Sequence, residues 1–196
     1  MPLENIMSAD VIDQLVGQPL AIRKRRPITI EQSQKSYDAL FHVESQASFK
    51  LAERFAVAVF VAHLHQHKQA IEFYESQLQA AEPQLLDSIR TIAIEAKSSG
   101  PFGQYSAGPL TREDLTGKIW QASKEEDDKL TKKLTSALNH THLLVFHPRD
   151  SKKKDIDALT ANGWQENDIV TLSQLVSFLS FQIKLAVGLQ VLSQIA

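Results

Sequence analysis

The sequence predicts an all-α protein, a single bundle of helices that ends in a long apolar helix. Apolar residues recur at helical rather than alternating spacing along most of the chain. No alternating apolar segment is flanked by the residues of a hairpin turn. Residues 168–195 are apolar on nearly every face, with Lys184 the only charge after Asp168. A helix of this kind needs cover from its own bundle or from a neighbouring subunit.

Capping residues, glycines and prolines predict where the helices begin and end. Ser8 caps the first helix and Gly17 ends it. Ser48 precedes the third helix, Pro83 suits the first turn of the fifth, and Pro148 follows the seventh. The predicted helices cover residues 9–17, a segment starting at Thr29 or Glu31, and residues 49–65, 69–81, 83–99, 110–123, 125–146, 152–163 and 168–195.

A loop is predicted at residues 98–110, which hold three of the seven glycines and two of the seven prolines. The chain of 196 residues is long enough for one sizeable core. We therefore expect a single helical domain over residues 1–196, with an N-terminal half at 1–97 and a C-terminal half at 111–196.

Composition excludes several classes of function. The 21 Lys and Arg residues nearly balance 23 Asp and Glu residues, so neither nucleic acid nor an acidic membrane is an expected partner. The chain has no cysteine, which rules out disulfides and every thiol reaction. Its first residues lack the basic and apolar regions of a signal peptide, so the cytoplasm is the expected location. Serines and glutamines recur too often in 168–195 for a convincing transmembrane span.

Two groups of histidines are candidate metal ligands. His63 and His67 are four residues apart, which places both on one face of a continuous helix. His140, His142 and His147 form the second group. The H-x-x-x-H spacing suits a metal, but a third ligand is missing and no H-E-x-x-H occurs. No metal or other cofactor is predicted, and His63 and His67 remain the candidates if one binds.

The run "LAERFAVAVFVAHLHQH", residues 51–67, resembles the signature of the carboxymuconolactone decarboxylase and alkylhydroperoxidase D-like superfamily, L-x-x-R-E-R-E-L-V-A-L-x-V-A-A-L-N-G-C-x-x-C-x-x-x-H. The segment 143–189 is similar to the peroxidase-related branch, which closes on a long helix ending in Gly-Leu. The resemblance implies an alkylhydroperoxidase D-like helical bundle. It also implies assembly around a two-fold axis, with trimers or hexamers in some members.

The resemblance also bears on activity. In the active peroxidases a glutamate, the C-x-x-C cysteines and a histidine form a proton relay. Aligned without gaps from the shared E-R, these positions fall on Phe55, His67, Ala70 and Tyr74. None of the four can play the corresponding part, so the thiol peroxidase mechanism is excluded. Decarboxylase members do not depend on the cysteines, and their chemistry stays open.

Glu53 and Arg54 interrupt an apolar run, and buried charges need partners. Those partners are either other side chains of the bundle or a reacting group that the charges position.

Three interpretations of the function follow. The first is a non-catalytic or ligand-binding homo-oligomer, a dimer or larger, with a small molecule or a cysteine-containing relative as a further partner. The second is an acid–base enzyme for lactone-like or acidic substrates that uses His67, Tyr74 and Glu53. The third is a histidine-based metal enzyme. The first is preferred, because nothing in the chain independently specifies a lactone site.

Overall fold

The computed structural model describes residues 10–43 and 47–195. Within these ranges the chain forms nine α-helices, three short 3₁₀ helices and no strand, which confirms the all-α prediction. The α-helices are α1 (Val11–Val16), α2 (Pro27–Phe41), α3 (Leu51–Leu64), α4 (Lys68–Ala81), α5 (Pro83–Glu95), α6 (Lys124–Leu130), α7 (Lys132–Phe146), α8 (Lys153–Ala161) and α9 (Glu166–Ile195).

Helix α3 lies at the centre of the core. Every residue from Arg54 to Leu64 is buried, and the helix packs against α2, α4, α5, α7 and α9. Its alternation of alanine with valine and phenylalanine explains this position. Small side chains let neighbouring helices approach closely, while the larger ones fill the space between them.

The long apolar C-terminal helix is present as predicted. Helix α9 has 30 residues and packs against α1, α2, α3, α7 and α8. Gln190 Nε2 donates a hydrogen bond to the carbonyl of Val16 at 3.1 Å, which ties the far end of α9 to α1. Among the described helices α9 alone is long and apolar enough to cross a membrane, and 39% of its most apolar window is buried. The mostly buried core helix of a soluble protein can be equally long and apolar.

The predicted helix over 110–123 is wrong. Only Pro109–Glu113 is helical, as a 3₁₀ turn, and the chain then runs without helix to α6. Gly103 and Leu115 exchange two backbone hydrogen bonds of 2.8 and 3.3 Å instead. Leu115 and Ile119 are more than half exposed, so this segment has no apolar face to bury as a helix. The predicted loop therefore extends well beyond residue 110.

The predicted helix over 125–146 is two helices. The chain breaks at Thr131, whose φ of 88° is left-handed. The Thr131 hydroxyl accepts a hydrogen bond from the Leu134 amide at 3.3 Å and so caps α7. The break is not evident from the sequence, because neither glycine nor proline marks it.

Other helix ends agree with the prediction or lie close to it. Gly17, with φ 89°, ends α1, and Pro83 occupies the first turn of α5. Ser8 lies outside the described residues, and Asp10 caps α1 by accepting from two backbone amides. Helix α2 begins at Pro27 itself, earlier than expected, because proline fits the first helical position.

The start of α3 differs from the prediction. Ser48 does not cap it. Its hydroxyl donates to Asp168 Oδ2 at 2.5 Å. The cap residue is Lys50, whose amide donates to the Glu53 carboxylate at 2.9 Å. A carboxylate in the first turn also suits the partial positive charge of a helix N-terminus.

Candidate functional site

The predicted common helix face of His63 and His67 is wrong. Helix α3 ends at Leu64, and the chain turns through Gln66, which has a left-handed φ of 54°. His67 then stands at the N-cap of α4. The two histidines therefore belong to different helices, because a polar tripeptide turn interrupts the apolar pattern that joined them in the sequence.

Both ring nitrogens of His67 have structural partners. Nδ1 accepts a hydrogen bond from the Ala70 amide at 3.2 Å, which caps α4. The ring proton therefore sits on Nε2, which lies 3.2 Å from Gln190 Oε1 and donates to it. Only 7% of His67 is exposed. This side chain fixes the start of α4 against α9.

Tyr74 is enclosed in the core. It is fully buried, and its hydroxyl accepts a hydrogen bond from Gln182 of α9. Burial raises the pKa of Tyr74 well above its ordinary value, and the bond to Gln182 offsets this only in part. The hydroxyl is therefore neutral at physiological pH and has no path to a substrate in solution.

Glu53 belongs to a junction between α3, α7 and the start of α9. Its carboxylate oxygens lie 2.9 and 3.1 Å from Lys133 Nζ. Lys133 also donates to the Ser48 carbonyl at 2.7 Å and lies over the Trp164 ring, 4.6 Å from its centroid. A half-buried carboxylate paired in this way already has its hydrogen-bond partners.

The three predicted site residues thus have separate hydrogen-bond partners: His67 binds Gln190, Tyr74 binds Gln182, and Glu53 binds Lys133. The two glutamines were missed from the sequence. The available signal was their presence in an otherwise apolar helix, since a polar group buried there needs a partner.

Aromatic rings fill the space around two of the four relay positions. Phe41 lies between Phe55 and Tyr74, with ring centroids 4.9 and 5.8 Å away. Tyr37 and Phe73 complete this aromatic cluster, at 4.8 Å from Phe41 and 4.9 Å from Tyr74 respectively. Sequence reasoning did not single out Phe41, because its role depends on contacts between α2, α3 and α4.

His63 and His147 also have local partners, whereas neither ring nitrogen of the buried His140 forms a hydrogen bond with the described residues. His63 Nε2 lies 2.8 Å from Glu75, whose carboxylate also accepts from Arg90. Arg90 is the main reason that the pKa of Glu75 is lowered. His147 lies between the Asp150 carboxylate and the Lys118 carbonyl, at 3.0 and 3.1 Å. Within residues 10–43 and 47–195 no three His, Asp or Glu side chains are grouped to hold a metal ion.

A groove of about 1610 Å³ lies between α2, α8 and α9, away from the predicted site residues. Arg54 lines it, whereas Glu53, His67 and Tyr74 do not. One signal for this place was visible in the sequence, the charge of Arg54 within an apolar run. The groove itself could not be foreseen, because it forms where three distant segments meet.

No family model matches this chain, and no curated protein matches it. A solved structure does match, the crystal structure of an alkylhydroperoxidase AhpD core, described as an uncharacterized peroxidase-related protein from Ralstonia eutropha JMP134. The two folds agree with a TM-score of 0.59 over 85% of this chain and 71% of that chain. This chain has an AhpD-like fold. The sequence identity is 12%, so the likeness concerns the fold alone.

The AhpD-like fold confirms the fold implied by the family resemblance. Assignment to the peroxidase-related branch, as a member that lacks the cysteines, stays a prediction. In this AhpD-like chain His67 and Ala70 stand at the N-terminus of α4, where a cysteine thiolate would gain from the helix dipole. An imidazole that caps the helix and a buried methyl group occupy these two positions instead.

Proposed function

We propose that this chain is a non-catalytic, ligand-binding homo-oligomer with an AhpD-like fold and no thiol peroxidase activity. The filling of the four relay positions supports this most directly. Phe55 and Tyr74 pack on Phe41, His67 caps α4, and Ala70 is buried beneath it. The chain acts in the cytoplasm, and a cysteine-containing relative is a candidate partner besides other copies.

The acid–base alternative has less support. A general acid or base must come within hydrogen-bond reach of the substrate, and its pKa must lie near the working pH. Tyr74 meets neither condition, because it is fully buried and its pKa is raised well above the ordinary value. Glu53 is held by Lys133, so it is not available to His67 as an orienting carboxylate.

An activity screen tests the non-catalytic proposal. We expect wild type and His67→Ala to show no turnover above buffer with alkyl hydroperoxides plus a dithiol reductant, or with lactones. The reason is that no thiolate exists and both ring nitrogens of His67 are engaged. A cysteine-containing AhpD-like enzyme serves as positive control. Turnover by wild type that disappears in a folded His67→Ala protein would establish an enzyme instead.

The distal half of α9 supports the oligomeric part of the proposal. Its outer side exposes large apolar residues at helical spacing: Phe181, Val187, Val191, Leu192 and Ile195. Their exposed fractions run from 44% to 78%. A contiguous apolar face of this kind is typical of a subunit interface, because water contact with it is unfavourable.

We expect light scattering to give a mass of at least twice the 21.9 kDa of the chain. The double variant Val191→Glu, Leu192→Glu should reduce the measured mass to that of the monomer, because buried unpaired carboxylates oppose association. Ile94→Glu is the control, since Ile94 is 56% exposed on α5, away from the distal half of α9. A wild-type monomer at micromolar concentration would contradict the proposed oligomer.

A further inference from the structure

Arg54 is a buried cation without a carboxylate partner among the described residues. It is 7% exposed and forms no ion pair with any residue that the structure describes. Nε donates to the Phe49 carbonyl at 3.1 Å and Nη1 to the Leu40 carbonyl at 2.6 Å. The third guanidinium nitrogen, Nη2, makes no hydrogen bond within the described chain. Arg54 lines the groove between α2, α8 and α9.

The unfavourable free energy of burying the Arg54 charge points to a ligand. Burial lowers the pKa of Arg54, and the more distant Asp168 and Glu53 offset this only in part. The group still remains charged near neutral pH, because a guanidinium holds its proton in any protein environment. A largely buried charge with no carboxylate in direct contact is less well stabilised than a paired one, and a bound anion would supply the missing contact.

The groove walls supply apolar contact and few other donors. Leu40, Ile156, Ile169 and Phe178 line it. Five helical hydroxyls line the groove, and all except that of Ser36 donate their hydrogens to their own helices, as Ser173 does to the Ile169 carbonyl at 2.9 Å. The same holds for Thr160, Thr171 and Ser177, which donate to carbonyls four residues earlier.

The remaining charges of the groove lie at exposed positions. Lys153 pairs with Asp157 at 2.6 Å on the surface of α8, so neither is free to dominate recognition. Glu166 is exposed at the start of α9. Arg54 is thus the buried charge that a ligand meets inside the groove, and a carboxylate is the group that complements a guanidinium in geometry and charge.

We propose that this groove binds a small amphipathic carboxylate, with the carboxylate on Arg54 and the apolar chain against Leu40, Ile156, Ile169 and Phe178. This inference rests on the ligand-binding part of the proposed function and names its ligand class. It does not depend on the absence of catalysis.

Calorimetric titration with octanoate and octanol tests the assignment, because the two probes share a chain and differ in the head group. We expect octanoate to bind about tenfold or more tightly than octanol, as a charge-assisted hydrogen bond contributes. Arg54→Gln should bring octanoate down to the affinity of octanol and leave octanol unchanged. Binding of both probes to wild type with equal affinity would overturn the proposal.

A second pair of variants covers the case in which Arg54→Gln fails to fold. Gln174 is exposed and lines the groove, so Gln174→Trp should block it and abolish octanoate binding. Gln84→Trp makes the same change at an exposed position on α5, outside the groove and away from the distal half of α9, and should bind octanoate as wild type does. Unchanged binding by Gln174→Trp would overturn the site.

Light scattering of these proteins shows whether the groove is occupied by a small-molecule ligand or by a second copy of the chain. If wild type binds no octanoate and Gln174→Trp alone lowers the oligomer mass, the groove is a subunit interface and the carboxylate proposal is wrong. Absence of octanoate binding would leave the non-catalytic assignment standing. Peroxidase turnover together with octanoate binding would overturn only that assignment.

Discussion

Phe41→Ala should lower the free energy of unfolding by about 3–5 kcal/mol, as expected for truncation of a buried aromatic side chain. Phe41 is 3% exposed and joins three helices through its contacts with Tyr37, Phe55 and Tyr74. The substitution removes the central ring of the aromatic cluster and leaves a cavity among rings that cannot collapse freely. Chemical denaturation followed by far-ultraviolet circular dichroism measures the change.

Ile28→Ala is the matched control for this experiment. Ile28 lies on the same helix and is 72% exposed, so its truncation should change the free energy of unfolding by less than about 0.5 kcal/mol. A loss below about 1 kcal/mol for Phe41→Ala would show that the cluster is loosely packed. The interpretation of the relay positions as filled space would then lose its main support.

Acidification should destabilise the fold through its buried histidines. Burial lowers the pKa of both His65 and His142 from 6.5 to about 4. In the unfolded chain these groups take up protons near pH 6.5, while in the folded chain they stay neutral down to about pH 4. The unfolded state therefore binds more protons in this window, and stability falls as the pH falls through it.

His142 is 1% exposed. Its contribution alone should lower the free energy of unfolding by about 3 kcal/mol between pH 7 and pH 4. His142→Phe keeps a ring between Trp120 and Phe146 but cannot titrate. Denaturation midpoints between pH 7 and 4 should therefore decline less steeply in this variant than in wild type. His42→Phe, at an exposed position, is the matched control and should follow the wild-type profile. Equal slopes for wild type and His142→Phe would contradict the burial argument.

The sequence predicts the helices because their signals are local. The apolar period identifies the segments, and Gly17 and Pro83 mark boundaries through their own backbone preferences. The break at Gln66 lies in the gap between the predicted helices 49–65 and 69–81. The break at Thr131 was not predicted, since a residue with a side chain adopts there a left-handed φ that its type does not favour. Such conformations are imposed by packing between helices, which a single sequence does not display.

The site was less predictable than the fold, for the same reason. Glu53 and Arg54 stood out as charges that need partners, yet Lys133 lies 80 residues beyond Glu53. Gln182 lies 108 residues from Tyr74. The character of a polar residue in a core, whether structural or reactive, depends on such distant partners.

The position of α9 has a consequence for synthesis of the chain. Helix α9 follows every other described helix in sequence, yet five of them pack against it. Until residues 166–195 have left the ribosome, the nascent chain cannot cover the surface of α3 that α9 buries. Contacts between residues far apart in sequence, such as the hydrogen bond from Gln190 to Val16, form last. Until then the exposed apolar surface favours aggregation or binding by chaperones. Soluble yield in a cell should therefore depend more on chaperone supply and growth temperature than on the amount of chain made.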